Sequence, residues 1–443
     1  MAQTIVWPQS RRWRIAAAAM LLQLCLGTVY AWSHFSKPLQ TAYGWSASQV
    51  QLTFSVAICC LGLSAAWGGV NLGRWGPRRL AVAGAMMFGL GHLLAGAALA
   101  WRSVHLLWAG YGVVGGVGLG LGYVTPVATT AKWFPDRRGL ATGMVVMGFG
   151  LGALMMSLVL LPAMKGVTGG SYSAIFLALG GLFLIVATWA GSRMRNPPAV
   201  PDAAGASNEV PLSVRLGGDA ADPPAPAPPE TSAGLRHLPA GRFAMMWLVF
   251  FCNIVAGISL ISYQSPMIQD LWSRAHPGAA GGQLEAVGAA MIAASALFNG
   301  LGRLFWGGLS DRIGRLPAFR AMLASQLAAF GLLIWTDSPW VFAALVCYVL
   351  LCYGGGFGTM PSFVLDTFGA RRMPAIYGAM LTAWSAAGVV GPMIVARLED
   401  LSRRGAWPLA ASTGSFLVGA GLLAVGLAIS LCLRPHPARE HDG

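Results

Sequence analysis

The chain alternates between apolar blocks and short joints rich in Arg or Pro. The blocks are about 20 residues long, which is the length an α-helix needs to cross the hydrocarbon core of a bilayer. Alternating segments of about ten residues, typical of a membrane β-barrel, are absent from the sequence. The pattern therefore predicts an all-α membrane protein. The twelve predicted transmembrane spans are 15–35, 48–70, 80–100, 105–131, 140–162, 173–191, 243–264, 285–307, 318–336, 340–364, 375–396 and 409–432.

Composition excludes a single large soluble domain. Of the 443 residues, 56% are hydrophobic and 10% are charged, whereas soluble domains carry about 25% charged residues. The 7 cysteines lie within or at the edges of apolar blocks, which predicts neither a disulfide framework nor a metal site. The sequence contains no Ser/His/Asp arrangement and no phosphate-binding loop, so we expect neither enzymatic activity nor a cofactor.

A glycine run at 115–122 could be mistaken for a dinucleotide-binding loop, but it follows no predicted strand. Gly112, Gly116 and Gly120 recur at every fourth residue, which is typical of closely packed membrane helices. We therefore interpret the run as a packing surface.

The segment 196–241 is rich in Pro, Ala, Ser and acidic residues. Such a composition cannot bury a core and predicts a disordered cytoplasmic linker. It separates an N-terminal six-helix half, 1–195, from a C-terminal six-helix half, 242–434. Residues 435–443 form a short tail.

The distribution of the basic residues predicts the orientation of the chain in the membrane. If both termini lie on one side, that side receives 21 of the 29 Lys and Arg residues, the other side receives seven, and one remains inside a span. By the positive-inside rule, both termini are cytoplasmic in a multi-pass plasma (inner) membrane protein. Because the basic residues follow the span ends, nucleic acid is not an expected partner. We expect a monomer in the lipid bilayer.

A motif recurs after the second and the eighth spans. It reads GVNLGRWGPR from Gly69 and GGLSDRIGR from Gly307, an offset of 238 residues. This repeat predicts that the chain consists of two homologous halves. Such repeats place a substrate site near the midplane between the halves. The motif residues are Gly69, Arg74 and Gly76 in the first half, and Gly307, Asp311, Arg312, Gly314 and Arg315 in the second.

With this motif the sequence resembles the major facilitator superfamily of transporters, whose G-x-x-x-D-R-x-G-R signature is complete in the second half. In the first half Gly73 stands where the family usually has Asp. The family's acid pairs with basic residues at the cytoplasmic gate. The resemblance therefore implies weaker charge pairing in the first-half gate.

The strings at 131–143 and 298–307, with Gly122 and Tyr123, are similar to the oxalate/formate antiporter family and its monocarboxylate transporter relatives. This resemblance implies a secondary active transporter of a small organic carboxylate, such as lactate, pyruvate or formate, working by alternating access. It further implies that Arg303 binds the substrate carboxylate.

Arg303 is also informative by itself. It lies inside the eighth predicted span, about four residues before its end, and a guanidinium at depth costs at least ~2.5 kcal/mol. None of the acidic residues lies deep in a predicted span, so a substrate anion is the natural counter-ion. The planar guanidinium matches a carboxylate bidentately. The alternative is that Arg303 extends to the membrane surface. Asn299, one helical turn earlier, could orient Arg303, donate to substrate, or bond to another helix.

The resemblance implies further site residues. The oxalate carriers have a lysine in the eleventh span where Trp384 stands here, so a site with one fixed cation favours a monoanion. Each of the site residues implied by the resemblance is also compatible with simple helix packing. The positions carried over from the family are Tyr30, Tyr123, Phe149, Tyr353 and Phe357, with Leu381 beside Trp384.

The sequence leaves coupling open between H+ symport and anion exchange. Animal monocarboxylate carriers have an Asp used in proton coupling where Asn299 stands here. His92, deep in the third span, could relay protons or pack against a neighbouring helix. Two other functions stay open, namely an exporter of a drug or other metabolite on the same fold and a non-transporting membrane sensor.

Overall fold

In a computed structural model of the protein, the described residues are 9–134, 138–198, 240–369, 373–404 and 411–433. The predicted linker lies outside the described residues except at 196–198 and 240–241, and the predicted tail lies outside them altogether. The exact boundaries of the two halves therefore stay a prediction.

The described chain is helical and contains no strand within the described ranges. Twelve spans are long and apolar enough to cross a membrane, which confirms the predicted number. The helices are α1 Gln9–Leu26, α2 Ser33–Tyr43, α3 Ala47–Trp75, α4 Pro77–Ala100, α5 Val104–Leu107, α6 Gly116–Trp133, α7 Arg138–Met155, α8 Leu161–Thr168, α9 Tyr172–Ser192, α10 Ala240–Ala275, α11 Gly281–Ile313, α12 Arg315–Trp335, α13 Pro339–Phe368, α14 Met373–Met380, α15 Thr382–Arg403 and α16 Ala411–Cys432.

Several helices are longer than the apolar blocks that predicted them. Helix α10 covers Ala240–Ala275 rather than 243–264, and α11 covers Gly281–Ile313 rather than 285–307. Hydropathy marks the part of a helix that suits hydrocarbon, whereas polar residues at both ends continue the same backbone hydrogen bonding.

Four spans depart from regular α-helix. A 3₁₀ segment, Gly27–Ala31, separates α1 from α2, and the eleventh span breaks at Leu381, between α14 and α15. The fourth and fifth spans contain π-helical segments at Trp108–Gly115 and Met156–Leu160. Such irregular backbone in a membrane is tolerated where it is buried in protein.

Glycines let helix backbones approach closely. A Cβ atom at Gly116 would lie 2.6 Å from the carbonyl oxygen of Ala57, and one at Gly120 would overlap that of Leu61. Both contacts join α6 to α3. This supports the interpretation of the glycine run as a packing surface.

The repeated motif contains a glycine at each of two helix junctions, and the two glycines share one backbone conformation. Gly76 has φ 75° and ψ 156°, and Gly314 has φ 92° and ψ 154°. Each glycine ends one helix and begins the next, with a positive φ that favours glycine. The repeat read from the sequence therefore extends to backbone geometry.

Candidate substrate site between the two halves

Arg303 lies deep in the protein. It is 1% exposed and stands ten residues before the end of α11 at Ile313, because α11 continues beyond the predicted apolar block. Its three guanidinium nitrogens have no hydrogen-bond partner among the described residues. The side chain is enclosed by protein, so the alternative of an arginine extending to the membrane surface is not supported.

Close helix packing positions Arg303. A Cβ atom at Gly358 would overlap the carbonyl oxygen of Arg303, so α13 lies directly against α11. From the N-terminal half, a Cβ atom at Gly150 would lie 3.0 Å from the Cα of Gly300 and 3.4 Å from Nε of Arg303. The guanidinium therefore lies where α7 of one half meets α11 and α13 of the other.

Six aromatic residues from both halves form one cluster around this point. Tyr30 contacts Phe149 at a centroid distance of 5.1 Å, and Trp384 contacts Tyr123 at 5.2 Å and Phe357 at 4.7 Å. The structure thus brings together residues that lie far apart in the chain. The aromatic cluster consists of Tyr30, Tyr123, Phe149, Tyr353, Phe357 and Trp384.

The cluster carries polar atoms as well as ring surfaces. The hydroxyl groups of Tyr30 and Tyr353 share a hydrogen bond of 2.6 Å across the two halves. The hydroxyl of Tyr123 lies beside Arg303 and the hydroxyl of Tyr377, but it makes no hydrogen bond of good geometry within the described part of the chain. Nε1 of Trp384 is also buried and makes none there. These groups add donors to those of the guanidinium.

The rings compensate the buried charge only in part. The guanidinium carbon lies 5.1 Å from the Phe357 ring centre and 5.9 Å from that of Phe149. Cation–π contacts contribute about 0.5–2 kcal/mol each, whereas burying an ion costs several kcal/mol. A bound anion would supply the missing compensation.

Tyr377 on α14 was not singled out from the sequence as a site residue. Its buried hydroxyl faces Tyr123 and Arg303 and has no hydrogen-bond partner among the described residues. Its spacing of seven residues from Trp384 could have indicated a shared helix face. The break at Leu381 made that periodicity unreliable.

Two predicted residues stand apart from the cluster. Oδ1 of Asn299 is buried beside α13, 2.8 Å from an ideal Cβ at Gly354, and no hydrogen bond to Arg303 is found among the described residues. Leu381 forms the break in the eleventh span, and its carbonyl oxygen lies 2.6 Å from an ideal Cβ at Gly62. Their roles in substrate binding stay predictions.

His92 lies away from the cluster. Its Nδ1 is 2.9 Å from the carbonyl oxygen of Phe88, one turn earlier in the same helix. Its ring packs against Phe88, Tyr111, Phe176 and Phe183 of the N-terminal half. These contacts favour packing over proton relay, although the hydrogen bond stays within α4 rather than reaching a neighbouring helix.

The halves are also joined by charges at the face farthest from the chain ends, which we call the distal face. Lys37 pairs with Asp270 at 2.5 Å, and Lys165 pairs with Glu285 at 2.6 Å. In addition, the carboxylate of Asp400 accepts hydrogen bonds from the backbone N–H groups of residues 47 and 48 at the start of α3. Each contact must break when the halves separate on this face.

The motif joints lie at the opposite face, which we call the terminal face. In the second half, Nη1 of Arg315 lies 2.5 Å from Asp311 and its Nε lies 3.0 Å from Asp366. In the first half Gly73 offers no side chain, and the exposed Arg74 is in no ion pair within the described ranges. This difference agrees with the weaker first-half charge pairing expected from the sequence.

Comparison with known proteins supports this architecture. The model of the Major Facilitator Superfamily matches residues 15–392. The chain is 27% identical to the oxalate:formate antiporter of Oxalobacter formigenes, covering 86% of this chain and 83% of the antiporter. It is 25% identical to apicoplast pyruvate carrier 1 of Toxoplasma gondii, covering 98% and 91%. Human monocarboxylate transporter 11 is 26% identical, with 94% and 81% covered.

Solved structures show the same fold. A bacterial homolog of the human lysosomal transporter Spinster, inward-facing and unoccupied, has a TM-score of 0.69 at 16% identity and covers 98% of this chain and 100% of its own. The D-xylose-proton symporter also has a TM-score of 0.69 at 16% identity, with 96% and 98% covered. The family match and the fold agree over most of the chain, which belongs to the major facilitator superfamily of membrane transporters.

Proposed function

We propose that the protein transports a small organic monocarboxylate by alternating access, with Arg303 as the anchor of the carboxylate. The observation that carries the proposal is a fully buried guanidinium between the two halves whose three nitrogens have no hydrogen-bond partner among the described residues. A carboxylate would receive two parallel N–H donors from this group and neutralise its charge. Further donors are the hydroxyl groups of Tyr123 and Tyr377 and Nε1 of Trp384.

A single negative charge suits this site. Arg303 is the fixed cation of the cluster, and Trp384, at the position where the oxalate carriers have a lysine, contributes an aromatic ring. A second carboxylate would lose its hydration on binding and would find no second cation in the site, which is costly. We therefore infer a preference for lactate-like, pyruvate-like or formate-like anions over dicarboxylates.

The relatives support the substrate class. The names of two similar proteins specify oxalate and formate, and pyruvate, and others are named monocarboxylate transporters. All these substrates carry at least one carboxylate, the group that the guanidinium suits. Both H+ symport and anion exchange are compatible with the site. We propose that the protein lies in the plasma (inner) membrane with both termini in the cytoplasm, in line with the distribution of its basic residues.

Exchange in proteoliposomes tests the proposal. Vesicles loaded with one unlabelled carboxylate would be assayed for uptake of labelled lactate, pyruvate, formate and oxalate, with lactamide as the neutral analogue of lactate. We expect exchange of the monocarboxylates, weak exchange of oxalate and none of lactamide. Exchange of lactamide as fast as that of lactate would contradict an arginine anchor.

A matched control separates anchoring from folding. Arg320 is another arginine of the C-terminal half, and its guanidinium donates to the carbonyl oxygens of Ser430 and Leu433. We expect Arg320→Gln to lower stability while leaving the apparent affinity for lactate unchanged. Arg303→Gln should abolish exchange without lowering stability.

A further inference from the structure

A cleft of about 880 Å³ lies on the terminal face, where the start of α1 approaches the end of α9. Its lining residues belong to the N-terminal half, except Asn196 and Pro198, which directly follow it. The cleft is therefore separate from Arg303 and from the surfaces where the two halves meet, and nothing in the proposed transport mechanism uses it.

The mouth of the cleft is strongly basic. Four exposed arginines line it, Arg11 and Arg14 from α1 and Arg193 and Arg195 from the chain after α9. No acidic side chain is among the lining residues, and none of the four guanidinium groups is in an ion pair within the described ranges. The mouth thus concentrates positive charge that has no counter-charge among the described residues.

The rim around these arginines is held in place. The guanidinium of Arg193 stacks over the ring of Trp189, with its carbon 4.8 Å from the ring centre. Nε1 of Trp133 donates to the carbonyl oxygen of Arg195 at 2.7 Å, which ties the chain after α9 to the end of α6. Arginines on an anchored rim lose less conformational freedom when they bind a ligand.

Below the mouth, the cleft becomes apolar. Helix α1 contributes Ile15, Ala18 and Leu21 to the lining, at the spacing of one helical face. These residues lie within the first membrane span, Ser10–Ala31. The cleft therefore runs from a basic mouth to an apolar floor on the first membrane span.

We propose that this cleft binds an anionic phospholipid, with the phosphate on the arginines and an acyl chain along the apolar floor. Guanidinium groups bind phosphate bidentately, and basic pockets between helices at the cytoplasmic surface suit anionic headgroups. A hydrophilic peptide segment would match the mouth but would gain nothing from the floor. The binding is independent of the transported substrate.

Native mass spectrometry of the full-length protein, offered phosphatidylglycerol or phosphatidylcholine in detergent, tests the proposal. We expect the protein to retain phosphatidylglycerol and not phosphatidylcholine. The double variant Arg14→Gln, Arg193→Gln should bind phosphatidylglycerol about thirtyfold more weakly. The control Arg78→Gln, Arg79→Gln removes the same charge from exposed positions of the same face outside the cleft, and it should bind as the wild type does.

A second variant tests the floor without changing charge. Ala17 lines the cleft and is exposed, so Ala17→Phe should fill space without disturbing the core and should weaken phosphatidylglycerol binding several-fold. Inorganic phosphate at millimolar concentration should not displace the lipid, because it cannot use the floor.

Four results would overturn the proposal. They are equal retention of the two lipids, equal loss of binding in the two double variants, displacement of the lipid by inorganic phosphate, and binding that appears only after residues 201–239 are deleted. The last result would assign the cleft to the linker.

Discussion

The two halves meet through paired charges at the distal face and around an unpaired charge at the centre. Lys37 and Lys165 each have a carboxylate of the other half within hydrogen-bond distance. Arg303 is more deeply buried than either lysine, yet no carboxylate approaches it among the described residues. The charge that is most costly to bury is therefore the one without a partner.

This difference separates two uses of a cation. The lysines are partly exposed, so water can stabilise them even when their ion pairs break. Arg303 is 1% exposed and has no hydrogen-bond partner among the described residues. In the proposed mechanism, the ion pairs hold the halves together, whereas the unpaired arginine selects the substrate.

The largest effect is expected at Arg303. Arg303→Met should abolish carboxylate exchange and raise the stability of the substrate-free protein by about 2 kcal/mol, since replacing a buried charge with an apolar side chain is often stabilising. A thermal melt should show this as a rise of about 2 °C. In the wild type, lactate should raise the melting temperature; in the variant it should not. A variant that melts lower and still exchanges lactate would show that Arg303 has a structural partner.

A second cation should change which substrates are accepted. Trp384→Lys places an ammonium group in the aromatic cluster, and a hydrogen bond to a charged group contributes about 1.5–3 kcal/mol. We expect the ratio of oxalate to lactate exchange to rise by about tenfold to a hundredfold. Trp384→Leu is the control for the lost ring. No gain for oxalate would count against the placement of Trp384 at the family's lysine position.

A smaller effect is expected at Tyr377, the hydrogen-bond donor that was not predicted from the sequence. Tyr377→Phe removes one hydroxyl group and leaves the ring, so we expect the apparent affinity for lactate to fall by about tenfold, the value of one hydrogen bond to a charged group. Tyr111→Phe is the control, because Tyr111 is buried in the N-terminal half beside Trp32 and His92, away from the cluster. Equal effects of the two substitutions would remove Tyr377 from the site.

The smallest effect is expected at the distal face. Glu285→Gln breaks one partly exposed ion pair, and such pairs contribute about 0.2–1 kcal/mol. The population open on this face should rise by at most about fivefold, and less at high salt. The labelling rate of a cysteine introduced as Ser265→Cys, in the cavity next to Glu285, measures this population.

The matched control for that substitution is Asp337→Asn. Asp337 lines a different cleft, formed within the C-terminal half, so its substitution should leave the labelling rate unchanged. An increase as large as that caused by Glu285→Gln would show that lost surface charge, and not the bridge between the halves, controls opening.

Much of the fold follows from local pattern. The twelve spans were predictable because a bilayer imposes one length, and the repeated joint was predictable because Gly76 and Gly314 each follow an arginine by two residues after corresponding spans. Helix ends were less predictable, since polar residues extended α10 and α11 beyond their apolar blocks. The break at Leu381 and the π-helical segments carry no clear composition signal.

The site was predictable in part. Arg303 could be singled out because an arginine in an apolar span is costly anywhere in the sequence. The aromatic site residues were predicted only from family resemblance. The sequence does not show whether a Tyr or Phe in a membrane helix faces lipid, a neighbouring helix or a substrate. The direction of Tyr377 and the packing of Asn299 against Gly354 depend on how helices rotate about their axes, which sequence spacing does not record across a break.

The sequence by itself determined that this chain spans a membrane as twelve helices in two related halves and that one arginine is left inside a span. The tertiary structure decided that this arginine lies beside a cluster of six aromatic rings from both halves, in contact with two of them, and pairs with no carboxylate among the described residues, while the lysines of the distal face are paired. The physical reason is that hydropathy and charge are properties of single residues, whereas the compensation of a buried charge depends on which atoms surround it.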